Sequence, residues 1–136
     1  MPTVHCADIE TAWYEVGRGA EPAAPPLVLV HGLGDDHRAW RRALPPLALR
    51  YRVVLYDLRG HGGSSVGDGA GTLGQLAGDL VALLDALEIE RAHLCGFSLG
   101  GTIVMRTAID HPDRVGRLMP VATSSRVGRA AADWYA

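Results

Sequence analysis

The sequence contains no lysine: all 13 of its basic residues are arginine, set against 15 carboxylates for a formal net charge of -2. No function is attached to the arginine bias. The near-balance of charge leaves no positive field to recruit nucleic acid or anionic lipid. Cysteine is scarce. Cys6 and Cys95 both lie in apolar stretches and read as reduced, buried thiols, not as a disulfide framework. No apolar run approaches the roughly 20 residues that span a bilayer. The opening "MPTVHCADIETAW" lacks a basic cluster ahead of an apolar stretch, so no leader is expected and a cytoplasmic location is. Histidines and cysteines lack ligand spacing, so neither a metal nor a cofactor is expected.

What is present is a chain of 136 residues, 48% hydrophobic and 21% charged, the balance of at most one globular domain. "TVHC" and "IETAWYEV" read as a hairpin turning at Ala7-Asp8. "LVLVHG", "RVVLYD" and "RAHLCGF" are continuous apolar runs, which suit strands buried on both faces. "VGRLMPVATSS" reads as a fourth such strand. Between them, "DDHRAWRRALPPLALRY" has a helical pattern through Trp40, Leu44 and Leu47, with Pro45-Pro46 marking a kink or a fresh start. "TLGQLAGDLVALLDALEI" puts Leu73, Leu76, Leu80, Leu83, Leu84 and Leu87 on one stripe behind Thr72 as N-cap. "LGGTIVMRTAIDH" is a helix stopped before Pro112. The order is hairpin, then β-α-β-α-β-α-β. This predicts an α/β fold: a mostly parallel sheet with helices on both faces, made of an N-terminal hairpin plus four parallel strands.

The pattern Gly-x-Ser-x-Gly occurs twice, at Gly63–Gly67 and at Gly96–Gly100. Ser65 lies in a loop with no strand leading into it. Ser98 lies where a buried strand meets an apolar helix, the setting of a nucleophile elbow. There a serine is held in strained geometry with its Oγ exposed, and Gly96 and Gly100 remove side chains that would clash across the turn. The alternative is that Ser98 merely caps the helix, which would not require a glycine on either side. A nucleophilic serine also needs donors for the oxyanion. The backbone N–H of Leu99 is one candidate. The second is Leu33 N–H, in the "HGLGDD" turn that Gly32 permits.

"VLVHGLGDD", "YRVVLYDLRGHGGSS" and "HLCGFSLGG", in this order and spacing, resemble the α/β-hydrolase fold superfamily over the whole chain. The resemblance implies that Ser98 is the nucleophile, that His31, Gly32 and Leu33 form the oxyanion turn, and that Asp57, Arg59, Gly60, Gly62 and Ser64 shape the rim of the site. A serine at this position argues against the dehalogenases and epoxide hydrolases of the fold, which carry aspartate there. "ALLDALEIERAHLCGFSLGG" and "TSSRVGRAAADWYA" look most like 3-oxoadipate enol-lactonases.

A serine of this kind needs a histidine base and an acid that orients it. The family supplies both after later strands, in the order serine, acid, histidine. Only His111 follows Ser98, at the far end of a helix; at 1.5 Å rise per residue it lies about 20 Å away and reads as a helix-end cap. His61 sits in the rim loop, His37 on a helix surface and His93 in a strand. Asp110, Asp113 and Asp133 do not occupy the family's acid position. The expectation is an N-terminal portion of a longer hydrolase, spanning residues 1–136, with 124–136 opening a lid. It acts on a small ester or lactone, is nearly inactive alone, and needs a C-terminal half or an oligomer partner to cover the exposed sheet edge. Two other classes stand beside this reading. A dinucleotide site fails because His37 stands where the third glycine of Gly-x-Gly-x-x-Gly belongs. A non-catalytic hydrolase-fold binding protein is favoured only by the missing base and acid.

Overall fold

In the computed structural model, which describes residues 2–19, 21, 23–126 and 128–129, six strands form one sheet. β1 (Thr3–Cys6) and β2 (Ile9–Val16) make the expected hairpin, with Ala7 at φ 53° in its turn. β3 (Leu27–Val30), β4 (Val53–Tyr56), β5 (Ala92–Phe97) and β6 (Val115–Val121) run parallel, and β2 joins them antiparallel to β4. The spatial order is β1-β2-β4-β3-β5-β6. The chain therefore winds to one side of β3 and then to the other. The reversal falls between β3 and β5, and the carboxyl ends at such a switch point are the usual place for a ligand in sheets of this kind.

Alternation along the strands sends apolar side chains to both faces. Val28, Val30, Val54, Tyr56 and Leu94 face α2 (Leu73–Ala86) and α3 (Leu99–Asp110) in the larger core. Leu80, Leu83 and Leu84 are fully buried there, each contributing about 1.5–3 kcal/mol. Leu29, Val53, Leu55 and Cys95 face the other way, toward Trp40, Leu44 and Leu47. Cys6 belongs to the first core and Cys95 to the second, so the sheet separates the two free thiols.

The helix expected through "DDHRAWRRALPPLALRY" is broken into a 3-10 turn, His37–Trp40, and a short α1, Leu44–Ala48. Pro45 and Pro46 sit in the first turn of α1, where a missing N–H costs nothing. Among the described residues, no helix is long and apolar enough to cross a membrane.

β6 is an edge strand, and Leu118, Met119 and Val121 are exposed on it. An open trough of about 530 Å³ runs along this side, lined by Leu29, Leu47, His93, Cys95 and Met119. The carbonyl of Val121 faces β5, where it accepts from Ser98 N–H at 3.0 Å. Pro120 therefore faces the free edge, and its missing N–H interrupts the row of donors there. Much of segment 124–136, expected to open a lid, lies outside the described residues, as does Asp133.

Candidate active site

The strand-to-helix turn after β5 is as tight as the two glycines suggested. A Cβ on Gly96 would overlap the carbonyl of Gly100, and one on Gly100 would overlap the carbonyls of Val30 and His31. Between them Ser98 has φ 53° and ψ -116°, a left-handed conformation that costs a non-glycine residue on the order of 1–3 kcal/mol. Its side chain makes no capping bond to the helix, and the residue is exposed. The capping alternative is thereby removed. The second Gly-x-Ser-x-Gly match is structural. Ser64 Oγ donates to Asp57 O at 2.6 Å and accepts from Ala12 N–H at 2.9 Å. Ser65 Oγ accepts from Glu10 N–H at 2.9 Å.

The turn after β3 approaches the elbow directly. A Cβ built on Gly32 would lie 3.4 Å from Ser98 Cβ and 3.4 Å from the carbonyl of Phe97. His31 fixes this turn. It is fully buried, and its Nδ1–H donates to Gly32 O at 2.8 Å while Nε2 accepts from Leu58 N–H at 3.0 Å. One donor and one acceptor define a neutral ring, and burial pushes its pKa below the ordinary histidine value. The Gly32 carbonyl and the Leu33 N–H belong to one trans peptide, so they point in opposite directions. By gripping the carbonyl, His31 orients the Leu33 N–H. Asp35 N–H reinforces the grip at 3.3 Å. Among the described residues, neither Leu33 N–H nor Leu99 N–H is paired to another backbone group outside the regular elements. Leu99 opens α3, where a free first-turn N–H is the rule.

Of the rim residues, Asp57 and Arg59 are buried, while Gly60 and Gly62 are exposed. Asp57 is fully buried. Its Oδ1 accepts from both the main-chain N–H and the ring Nδ1–H of His37, each at 2.8 Å, and its Oδ2 accepts from Gly63 N–H at 2.9 Å. His37, expected on a helix surface, is instead half-buried against this carboxylate, with its ring 4.1 Å from that of Tyr14. Gly60, at φ 72°, starts the turn that carries the loop away.

Arg59 reaches inward. It forms a fork with Asp79 of α2 at 2.8 Å on both oxygens, meets Asp8 at 2.8 and 3.3 Å, and donates to the carbonyls of Val66 and Asp68. The carboxylates raise the guanidinium pKa, and Arg59 holds Asp8 down to about 2. One cation thus ties the hairpin turn, the rim loop and α2 together.

Among the described residues, the remaining histidines make contacts of their own. His61 spends Nδ1–H on Arg59 O at 2.9 Å and Nε2 on Gly34 N–H at 3.1 Å. His93 accepts from Arg117 N–H at 2.9 Å, beside the trough. His111 ends α3, as expected. His5 pairs with Glu10 on the hairpin. Asp36, His37 and Asp57 bring one ligand atom each within 4.8 Å of one another. These groups are already engaged within the fold: Asp36 binds Arg38, and Asp57 binds His37 itself.

The sequence reading missed the partners that hold the site in place. Asp79 could have been found, since a carboxylate on the apolar stripe of α2, beside Leu76, Leu80 and Leu83, demands a buried counter-charge. Nothing local announced Asp8, or the bond from Thr123 after β6 to the carbonyl of Ser98, 2.7 Å long.

Comparison with known proteins bears on this arrangement. Residues 25–134 match the family model of the alpha/beta hydrolase fold. The chain is 34% identical to 3-oxoadipate enol-lactonase 2 of Acinetobacter baylyi, over 100% of this chain and 52% of that protein. It is 41% identical to the dihydrolipoyllysine-residue acetyltransferase component of the acetoin cleaving system of Pseudomonas putida, over 90% of this chain and 32% of that protein. The crystal structure of the enol-lactonase from Burkholderia xenovorans LB400 superposes with a TM-score of 0.85 at 35% identity, covering 93% of this chain and 48% of that one. The chain thus spans about half the length, or less, of the relatives it matches.

Proposed function

The chain belongs to the alpha/beta hydrolase fold family, and on that premise we propose that it carries the nucleophile and oxyanion hole of a serine hydrolase for carboxylic esters or lactones. The observation that carries this reading is the strained, uncapped, exposed Ser98 facing the His31-Gly32-Leu33 turn. Ser98 Oγ attacks the acyl carbon as its proton passes to a base supplied from outside residues 1–136, and the carbonyl π electrons move to oxygen. The same base later returns the proton to the leaving oxygen. The N–H groups of Leu33 and Leu99 take up the developing charge. Loss of one such donor costs on the order of 100- to 1000-fold in rate. Collapse of the intermediate expels the alcohol, which in a lactone remains on the acyl chain, and water then releases the acid. His31, Gly32, Gly96, Gly100, Asp57, Arg59 and Gly60 support this geometry without touching substrate.

The histidines of residues 1–136 are engaged elsewhere or remote, so the base and its acid come from a C-terminal half or a partner. The exposed β6 edge and the trough beside it are the surface such a partner covers. Within the ester and lactone class, an enol-lactone is the narrower substrate, supported by the enol-lactonase relatives.

A serine-directed fluorophosphonate and an ester assay test the proposal. The isolated chain turns over ester about a millionfold below the complemented protein, the scale lost when a serine–histidine pair is removed. Adding the C-terminal half of an enol-lactonase relative restores turnover and labelling, both abolished by Ser98→Ala. Full turnover by the isolated chain would defeat the complementation. Turnover in the complemented protein that ignores Ser98→Ala would defeat the nucleophile.

A further inference from the structure

Both main-chain polar groups of Ser98 are tied to the end of β6 and the residues just after it. Its N–H donates to Val121 O at 3.0 Å. Its carbonyl accepts from Thr123 Oγ1–H at 2.7 Å, besides Gly101 N–H at 2.9 Å and Thr102 N–H at 3.2 Å. Thr123 is itself braced, because its hydroxyl proton goes to Ser98 and its oxygen is left to accept from Thr102 Oγ1 at 3.2 Å. Two local features make the approach feasible. Ala122 has φ 47°, an uncommon left-handed alanine that turns the chain back over the elbow. Gly101 leaves room, since a Cβ there would lie 2.6 Å from Thr123 Cβ.

A serine at the start of a helix relaxes readily to negative φ and caps it. Something must oppose that here. We propose that Thr123 is the positioning residue of the elbow: its hydroxyl, aimed by Ala122 and braced by Thr102, grips the Ser98 carbonyl and keeps the Oγ presented instead of folded back as a cap. Its bearing on catalysis rests on Ser98 being the nucleophile; the grip itself does not.

Amide hydrogen exchange on the full chain tests the grip, and the rate of fluorophosphonate labelling tests its consequence. In Thr123→Val, the amides of Ser98, Gly101 and Thr102 exchange about tenfold faster, as expected for one lost hydrogen bond. The amides later in α3 keep their rates, and Thr123→Ser restores the first three. Labelling of Ser98 in the complemented protein slows in Thr123→Val and recovers in Thr123→Ser. Unchanged exchange at these three amides, a uniform rise through the whole sheet, or failure of Thr123→Ser to rescue overturns the proposal. If Thr123→Val does not fold, Thr102→Ala, which removes only the brace, decides instead: the same amides exchange two- to threefold faster, or the proposal fails. Absent labelling with the exchange pattern intact would sink the nucleophile and leave the grip standing.

Discussion

Replacing Arg59 by methionine removes one side chain from three segments at once, and the cost can be worked out partner by partner. Arg59 and Asp79 are each 6% exposed at the side chain, so the substitution strands a buried carboxylate. Breaking a buried pair in this way costs about 3–5 kcal/mol. Asp8, 36% exposed at the side chain, can turn to water and adds little. The carbonyls of Val66 and Asp68 belong to exposed residues and rehydrate. Against a total stability of roughly 5–15 kcal/mol, the loss is a large fraction of the whole. At about 3–5 °C per kcal/mol for a domain of this size, the midpoint should fall by about 9–25 °C. The companion variant, Arg59→Met with Asp79→Leu, discriminates the cause. It replaces the pair by apolar groups, which is often neutral, so most of the loss should return. Urea unfolding followed by circular dichroism measures both. A single variant within about 1 kcal/mol of the parent, or a double variant no better than the single, would refute the assignment of Arg59 as a buried tie.

Ser98→Gly relieves the left-handed strain and should raise stability by about 1 kcal/mol, with loss of fluorophosphonate labelling; a thermal melt showing no gain contradicts the strain. Gly100→Ala drives a Cβ into two carbonyls and should cost about 3 kcal/mol or more. Gly78→Ala, exposed in α2 with nothing within 4 Å of the new Cβ, should instead gain about 0.5–1 kcal/mol, so equal effects would refute the packing argument. His31 is held neutral by burial, so the unfolded chain binds its proton more readily than the folded one. Stability should therefore fall as pH drops below about 6.5, the unfolded histidine value. His93, lowered chiefly by its own burial, acts in the same direction. His31→Gln should remove part of that slope in urea titrations at successive pH values; an unchanged slope counts against it.

The fold was largely legible because its signals are local. Continuous apolar runs gave the parallel strands, the leucine stripe gave α2, and a serine between glycines at a strand end gave the elbow. The tandem prolines carried two readings, and the structure takes the fresh start, with a separate 3-10 turn before it. The supports of the site were less legible because they are contacts between distant segments. "DLRG" reads as loop, and only the tertiary fold shows that Arg59 points inward while His37 closes on Asp57. Thr123 follows an exposed strand and looks like any polar residue entering a loop. Its role depends on a left-handed alanine that no propensity announces.

The elbow is anchored by the turn after β3 and the segment after β6, the latter 25 positions further along the chain than Ser98. Neither anchor is in place until the crossovers through α2 and α3 have closed. Contacts of such long sequence separation form late in folding. The strain at residue 98 is thus a property of the finished molecule, and relieving it with glycine should slow unfolding while leaving the folding rate nearly untouched.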